Sequence, residues 1–307
     1  MHEHDHGLQR DLSALAEQMV WQSLERRRVL SLLAGIGGAV LLPGCGGGGS
    51  ETATTSTTSS TTSSGSSASS TATSAATSST ATSNSSSTGC IADPRETAGP
   101  YPADGTNSAH GSVANVLVAS GIVRSDIRKS FGISTTTAVG VPLKLAITLV
   151  DTNASCAALS GYAIYLWHCN ATGKYSLYDL PLENYLRGVQ VTDAAGQVTF
   201  STNFPAAYDG RYPHIHFEIY RSANTATQGS NSLLTSQMCM PRDACVAVYN
   251  ANSSLYAGSS ANLARVTLAS DNVFGDNTAA QIAAQTPVLS GDAINGYNGT
   301  IVVGLAI

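Results

Sequence analysis

Residues 90–307 are predicted to form an all-β fold, an antiparallel β-sandwich with few short helices. Three observations predict it. Short apolar runs alternate with a period of two, Gly, Asn and Asp turns separate them, and no long stretch has the 3.6-residue period of an amphipathic helix. The first strand signal spans residues 143–149, where Leu143, Leu145, Ile147 and Leu149 alternate with Lys144, Ala146 and Thr148. Residues 162–169 are rich in β-branched and aromatic side chains, which suit a pleated, buried surface. A strand over residues 198–200 follows a turn at residues 193–196. Residues 214–220 alternate again, as do residues 300–307, with Ile301, Val303, Leu305 and Ile307 on one face. The chain shows no internal repeat.

Ahead of this domain the chain is built differently. Arg26, Arg27 and Arg28 directly precede an apolar run over residues 29–42, which ends at Leu42-Pro43-Gly44-Cys45. A positive segment, a short apolar segment and small residues make a secretory signal. The arginines resemble a twin-arginine signal, whose pathway carries folded proteins. Cys45 resembles the lipidated cysteine of a bacterial lipobox, with Pro43 as a departure. Residues 1–45 are therefore expected to be a signal segment. The domain is expected outside the cytoplasm, on the periplasmic or cell-envelope side, tethered to the membrane through lipidated Cys45. An uncleaved anchor would lead to the same compartment. His2, His4 and His6 precede the arginines and are assigned no function. Residues 46–89 are almost all Ser, Thr, Ala and Gly, too polar to bury a core, and are expected to be a disordered linker. It would span about 35 Å at roughly 5–6 Å × √n.

Composition narrows the function classes. The 15 Lys+Arg and 20 Asp+Glu give a net charge of -5, and no basic block marks a nucleic-acid partner. No run reaches the roughly 18 apolar residues of a spanning helix. Five cysteines follow Cys45: Cys90, Cys156, Cys169, Cys239 and Cys245. Disulfides are allowed outside the cytoplasm. Cys239 with Cys245 and Cys90 with Cys156 are both admissible pairs, and the odd number leaves at least one thiol outside any intrachain bridge. No CxxC pair suggests a cysteine zinc site.

The chemistry is concentrated between Trp167 and Tyr220. In Tyr212-Pro-His-Ile-His-Phe-Glu-Ile-Tyr220, residues two apart share a face. Ile215, Phe217 and Ile219 then point to the core, and His214, His216 and Glu218 point the other way. Two imidazoles so placed can hold one metal ion if further ligands lie nearby in the fold; without them the pair reads as two surface histidines. Tyr208 and Tyr175 are the further candidates nearby.

Three segments follow in order: Trp167-His-Cys-Asn-Ala-Thr-Gly-Lys-Tyr175, then Tyr185-Leu-Arg-Gly-Val-Gln-Val-Thr-Asp-Ala-Ala-Gly-Gln-Val-Thr-Phe200, then Phe204-Pro-Ala-Ala-Tyr-Asp-Gly-Arg-Tyr-Pro-His-Ile-His216. With Gly99-Pro-Tyr101 and Val123-Arg-Ser-Asp-Ile-Arg128 upstream, the chain resembles the intradiol ring-cleavage dioxygenases, the protocatechuate and catechol dioxygenase group. The resemblance is good from Thr97 to Tyr220 and thins beyond.

It implies one non-haem Fe(III) per chain, held by Tyr175, Tyr208, His214 and His216. Phenolates are hard donors suited to ferric iron, and imidazole suits iron too. The implied substrates are a small aromatic diol and O2. The diol would displace hydroxide and the Tyr208 phenolate, leaving His216 axial and Tyr175 and His214 equatorial. The ferric ion would act as Lewis acid, and the ring would open between its two hydroxyl-bearing carbons to a muconate-type diacid. Arg211 matches the family's active-site arginine, whose charge would stabilise the developing anion; a solvated turn arginine is the plain alternative. His168 is expected to be a core histidine or a neighbour of the ligands. Ala206-Ala207 stand where the exported branch commonly has Gly-Trp, which predicts a larger pocket. The linker replaces the helical segment typical of catechol dioxygenases, so the usual dimer contact is not implied, and the sequence sets no oligomeric state. Two other classes remain: a non-catalytic exported binding module, and a zinc hydrolase using His214, His216 and Glu218.

Overall fold

A computed structural model describes residues 90–132 and 134–307; the expected signal segment 1–45 and linker 46–89 lie outside the described residues. In chain order the strands are β1 (Asp104–Ala109), β2 (Ser112–Asn115), β3 (Pro142–Asp151), β4 (Ala157–Ala158), β5 (Ala163–Trp167), β6 (Arg187–Val191), β7 (Gln197–Asn203), β8 (His214–Tyr220) and β9 (Leu234–Cys239). Three short helices follow, α1 (Arg242–Ala251), α2 (Ser259–Arg265) and α3 (Ala279–Ala284), and then β10 (Val288–Asp292) and β11 (Gly296–Leu305).

The strands form a β-sandwich. One sheet runs β10-β11-β3, with β7 and β4 sharing the far side of β3. The other runs β6-β5-β8-β9. β1 and β2 form a separate hairpin. Leu143, Leu145, Ile147 and Leu149 of β3 are all buried and share one core with Ile164, Leu166, Ile215, Phe217 and Ile219 of the second sheet. Removing each such side chain from water stabilises the fold by about 1.5–3 kcal/mol. That common core is why the period-two pattern locates the faces.

The sandwich is not antiparallel throughout. β11 pairs with β3 in parallel, Tyr297 opposite Leu143 through Leu305 opposite Asp151. The helical excursion after β9 brings the chain round to enter beside β3 in the same direction, and alternation within a strand carries no record of its neighbour's direction. Ile301, Val303 and Leu305 are buried as expected, whereas Ile307 lies past the strand end and is 43% exposed.

β8 lies between β5 and β9, and all seven of its residues are buried. Residues directly opposite on antiparallel strands share a face, so a row Arg187–Trp167–His216–Gln237 crosses the sheet, with Tyr165–Glu218–Thr235 beside it. This face, opposite the core, is covered by the loops that build the site.

One cover is the segment running from Cys90 to Tyr101. Cys90 is bridged to Cys156. The Gly304 amide donates to Asp93 Oδ2 (2.7 Å), the Glu96 amide donates to the Thr235 carbonyl (2.8 Å), and Gln237 Nε2 donates to the Thr97 carbonyl (2.9 Å). The alternative pairing does not form: Cys239 and Cys245 are free and buried. Cys239 ends β9 with its sulfur 3.0 Å from Thr286 Oγ1, while Cys245 packs into the core from α1. Their closeness in sequence is overridden by the strand-to-helix turn, because a bridge needs converging Cβ atoms. The bridge closes a sequence separation of 66 residues. Cys156→Ser should therefore cost about 2–4 kcal/mol and lower Tm by roughly 5–10 °C, read by thermal unfolding with and without reductant. An unchanged Tm would show that the segment's hydrogen bonds suffice.

Asp93 makes stability depend on pH. Burial pushes its carboxyl up to about 7, against the bond from Gly304, and its Oδ1 has no partner among the described residues. A raised pKa in the folded state contributes stability below the unfolded value near 4, lost as pH rises through about 7. Asp93→Asn keeps an acceptor for Gly304 and removes the titration. Its melting temperature should match the wild type near pH 4 and exceed it increasingly towards pH 8.

Candidate metal centre

Three elements bring the four predicted donors together. His214 and His216 leave β8 on one face. Tyr175 follows β5 through a tight loop, in which Asn170 Oδ1 accepts from the Thr172 and Lys174 amides at 2.9 and 3.0 Å. Gly173 in that loop has φ +76°, and a Cβ there would lie 3.0 Å from the Tyr208 Cβ, so the loop closes on Tyr208 only with glycine. Tyr208 belongs to the β7–β8 connection. Helix α2 holds that connection: Ser259 Oγ accepts from the Ala207 amide (3.3 Å), Asn262 Nδ2 donates to the Ala207 carbonyl (2.8 Å), and Arg265 pairs with Asp209 (2.8 Å). Ala206 and Ala207 are both buried in the core, and α2 is hydrogen-bonded to both the amide and the carbonyl of Ala207.

The donor atoms are mutual neighbours. Tyr175 Oη is 3.5 Å from Tyr208 Oη, 3.5 Å from His214 Nε2 and 3.3 Å from His216 Nε2. Tyr208 Oη is 3.1 Å from His214 Nε2, and the two Nε2 atoms are 3.0 Å apart. Donors bound at about 2.0–2.2 Å to one first-row ion stand at such separations from one another.

Each imidazole is aimed by its surroundings. His214 Nδ1 donates to the Tyr212 carbonyl (2.5 Å), which leaves the Nε2 lone pair facing the cluster. Among the described residues His216 has no such bond, and its Nδ1 is a buried atom without a partner. Its ring is instead stacked on Trp167, with centroids 4.8 Å apart and planes 5° apart. Gly99 (φ +69°) closes over it, since a Cβ there would stand 3.3 Å from His216 Cε1. Tyr101 stacks on Tyr175 at 4.7 Å.

Burial dominates the electrostatics. It pushes His214 down to about 3 and His216 well below its usual range, with the Arg211 charge adding to both, so the rings stay neutral and keep lone pairs to offer. Burial raises both phenols, and Arg211 partly opposes this. Their ionisation therefore calls for a further positive charge at the cluster. Two facing imidazole lone pairs and two phenols that need a cation to ionise form a donor set that fits a hard trivalent metal ion.

Arg211 is not a solvated turn residue. Its side chain is 11% exposed, paired with fully buried Asp271 (3.0 Å), and its Nη2 donates to Gln237 Oε1 (2.7 Å). His168 is a core histidine, between the Cys169 carbonyl (2.8 Å) and Thr202 Oγ1 (2.6 Å). The zinc arrangement gains no support. Among the described residues no group of three or more His, Cys, Asp and Glu is placed to hold a metal, and the Glu218 oxygens accept from Tyr220 and Thr235. A groove of about 560 Å³, lined by Ile91, Ala280, Val288 and Val302 among others, includes none of the four donors.

Sequence reasoning missed Gln237 and Asp271, which come from β9 and from the turn after α2 respectively, where motif likeness thins. A glutamine inside the otherwise apolar end of β9 was the one visible signal. It assigned no role to Arg187 or Trp167, although both lie in the quoted segments.

The fold has solved counterparts. The chain is similar to an intradiol ring-cleavage dioxygenase from Tetranychus urticae, at 22% identity and a TM-score of 0.52, over 71% of this chain and 95% of that one. It is also similar to the dioxygenase domain of a dioxygenase–carbohydrate-binding protein fusion from Streptomyces sp. SirexAA-E, at 22% identity and a TM-score of 0.43, over 71% and 99%. Catechol 1,2-dioxygenase from Pseudomonas arvilla C-1 matches at 20% identity and a TM-score of 0.41, over 69% and 62%. No family model and no curated protein matches the chain. At these identities the first likeness establishes a shared fold.

Proposed function

We propose that this domain is a non-haem Fe(III) dioxygenase that uses O2 to cleave a small catechol-type diol between its two hydroxyl-bearing carbons, yielding a muconate-type diacid. The observation that carries this reading is the convergence of two phenols and two imidazoles at 3.0–3.5 Å in a buried cluster. Tyr175, Tyr208, His214 and His216 would hold the iron, one per chain. Bound there, the ion would supply Lewis acidity that draws electron density from a chelated diol and readies it for O2.

The chain's own groups do the rest. The Tyr212 carbonyl and the Trp167 ring fix the two imidazoles, so no reorganisation is needed on binding. The tyrosines are not equivalent. Tyr175 is 1% exposed and lies beneath Tyr101, whereas Tyr208 is only partly buried. With the metal bound, Tyr208 would be the oxygen to yield to an incoming diol, its Oη accepting a proton from a diol hydroxyl. Arg211 then places a fixed positive charge beside the developing anion. Buried aromatic walls exclude water from the reacting carbons.

We further propose that the domain is exported and tethered through Cys45 by the 46–89 linker. The Cys90–Cys156 bridge suits an oxidising compartment.

The test is a metal count and a visible spectrum on the purified chain. About one iron per chain, with a phenolate-to-iron band that shifts on adding catechol and a ring-opened product under O2, is the expected result. A protein that stays colourless and iron-free after ferric reconstitution would sink the reading in favour of a non-catalytic binding module. Stoichiometric zinc without iron would favour a hydrolase.

A further inference from the structure

We propose that Asp271 is a positioning residue of the site, which orients the Arg211 guanidinium towards the donor cluster without itself touching substrate. The inference rests on the ring-cleavage reading given above and adds to it a residue 60 positions beyond Arg211. Asp271 is wholly buried and its two oxygens are immobilised from the backbone. Oδ2 accepts from the Tyr212 amide (2.6 Å), and Oδ1 accepts from the Val273 and Phe274 amides (2.9 and 3.2 Å). Upon this fixed carboxylate lies the guanidinium, Nε at 3.0 Å from Oδ2 and Nη2 at 3.4 Å from Oδ1. Gln237 Oε1 takes Nη2 from another side at 2.7 Å, and Gln237 is held in turn through its bond to the Thr97 carbonyl.

Two of the three guanidinium nitrogens are thus committed, and Nη1 makes no hydrogen bond within the described protein. It is the nitrogen left to face a ligand. The arrangement also ties the two halves of the site, because Tyr212 has its amide on Asp271 and its carbonyl on His214 Nδ1. A buried carboxylate locked by three amides costs no reorganisation when charge develops nearby, and a planar two-nitrogen contact fixes direction as well as distance. A lysine could deliver the charge but not the direction.

The experiment compares Asp271→Asn, Arg211→Lys, Arg211→Ala and the double variant Arg211→Ala/Asp271→Asn in the iron-loaded chain with catechol and O2. Removing a preorganised donor outright costs about 100-fold in kcat or more. Misdirecting it should cost at least about tenfold, so Asp271→Asn and Arg211→Lys should both lose about tenfold in kcat. KM, iron content, the visible band and the Kd for catechol measured without O2 should stay within about twofold. The double variant should be no worse than Arg211→Ala, since residues acting as a unit are not additive. The inference is overturned by an Asp271→Asn enzyme with wild-type kcat, by a loss that tracks iron content or Tm, or by additive losses in the double variant. Should Asp271→Asn fail to fold, Arg211→Lys decides: full kcat in that variant means direction is not needed. A wild-type protein that binds iron but opens no diol overturns the ring-cleavage reading instead, and this inference with it.

Discussion

Tyr175→Phe is expected to lower ring cleavage by more than about 100-fold, beyond the 10–100-fold that loss of a group merely supporting a metal ligand costs. The substitution deletes one oxygen, and that oxygen is within 3.5 Å of Tyr208, His214 and His216. His214 Nε2 likewise reaches three partners, and Tyr208 Oη and His216 Nε2 reach two each. The metal-free variant should nevertheless melt at or above the wild-type temperature. Burial holds the Tyr175 phenol protonated, so phenylalanine removes a buried polar group and leaves the ring beneath Tyr101 in place. Iron should separate the two proteins, raising Tm more in the wild type, because a ligand stabilises in proportion to its affinity for the folded state. Metal titration, the visible spectrum and paired melts make the check. A variant that binds iron with the wild-type band and turns over normally would remove Tyr175 from the ligand set. Tyr208→Phe should keep more of the iron, consistent with its more exposed position.

Replacing Arg187 by leucine is expected to be the most destabilising single change in the second sheet. Arg187 is 1% exposed and none of its five hydrogen bonds goes to a carboxylate. Its guanidinium donates to the Tyr101, Pro102 and Ser176 carbonyls and to the Tyr165 and Ser176 hydroxyls. Pro102 retains a donor in Tyr165, whereas the Tyr101 and Ser176 carbonyls lose their contact with the guanidinium. Hydrogen bonds from a charged group are worth about 1.5–3 kcal/mol each, so losing the two to the Tyr101 and Ser176 carbonyls costs roughly 4 kcal/mol. That corresponds to a fall of about 10 °C in Tm for a domain of this size. Arg187→Lys should lose nearly as much, since a single ammonium cannot serve groups arranged around a fork. Because Tyr101 and Ser176 flank the Tyr175 ring in space and in sequence, the iron band should broaden in whatever fraction remains folded. A variant melting within a degree or two of the wild type would show that water replaces the guanidinium.

The two variants separate function from architecture on neighbouring residues. Tyr175 is costly to the fold and needed for the proposed chemistry. Arg187 touches none of the four donors and keeps the walls around them upright. Asp271 falls between, as a buried ion that stabilises one orientation of another. Burial works against its ionisation, but the Arg211 charge holds its carboxyl below the usual range.

The strands read at residues 143–149, 214–220 and 300–307 were legible because their apolar residues alternate against a single shared core, and the one at 162–169 because its β-branched and aromatic residues suit a buried sheet. The His214/His216 pair on one face followed from the same period, and the candidate tyrosines from the order of the motifs. These are local properties of the chain. Tertiary structure alone decided the rest. It set β11 parallel to β3, paired Cys90 with Cys156 while leaving Cys239 and Cys245 apart, and closed the outer face of β8 into a buried site. It also brought Tyr175 to His216 across 41 positions and Asp271 to Arg211 across 60. Periodicity records which way a side chain points from its own strand. It holds no information on what arrives from elsewhere to meet it, because that depends on sheet order, loop closure and the desolvation of partners distant along the chain.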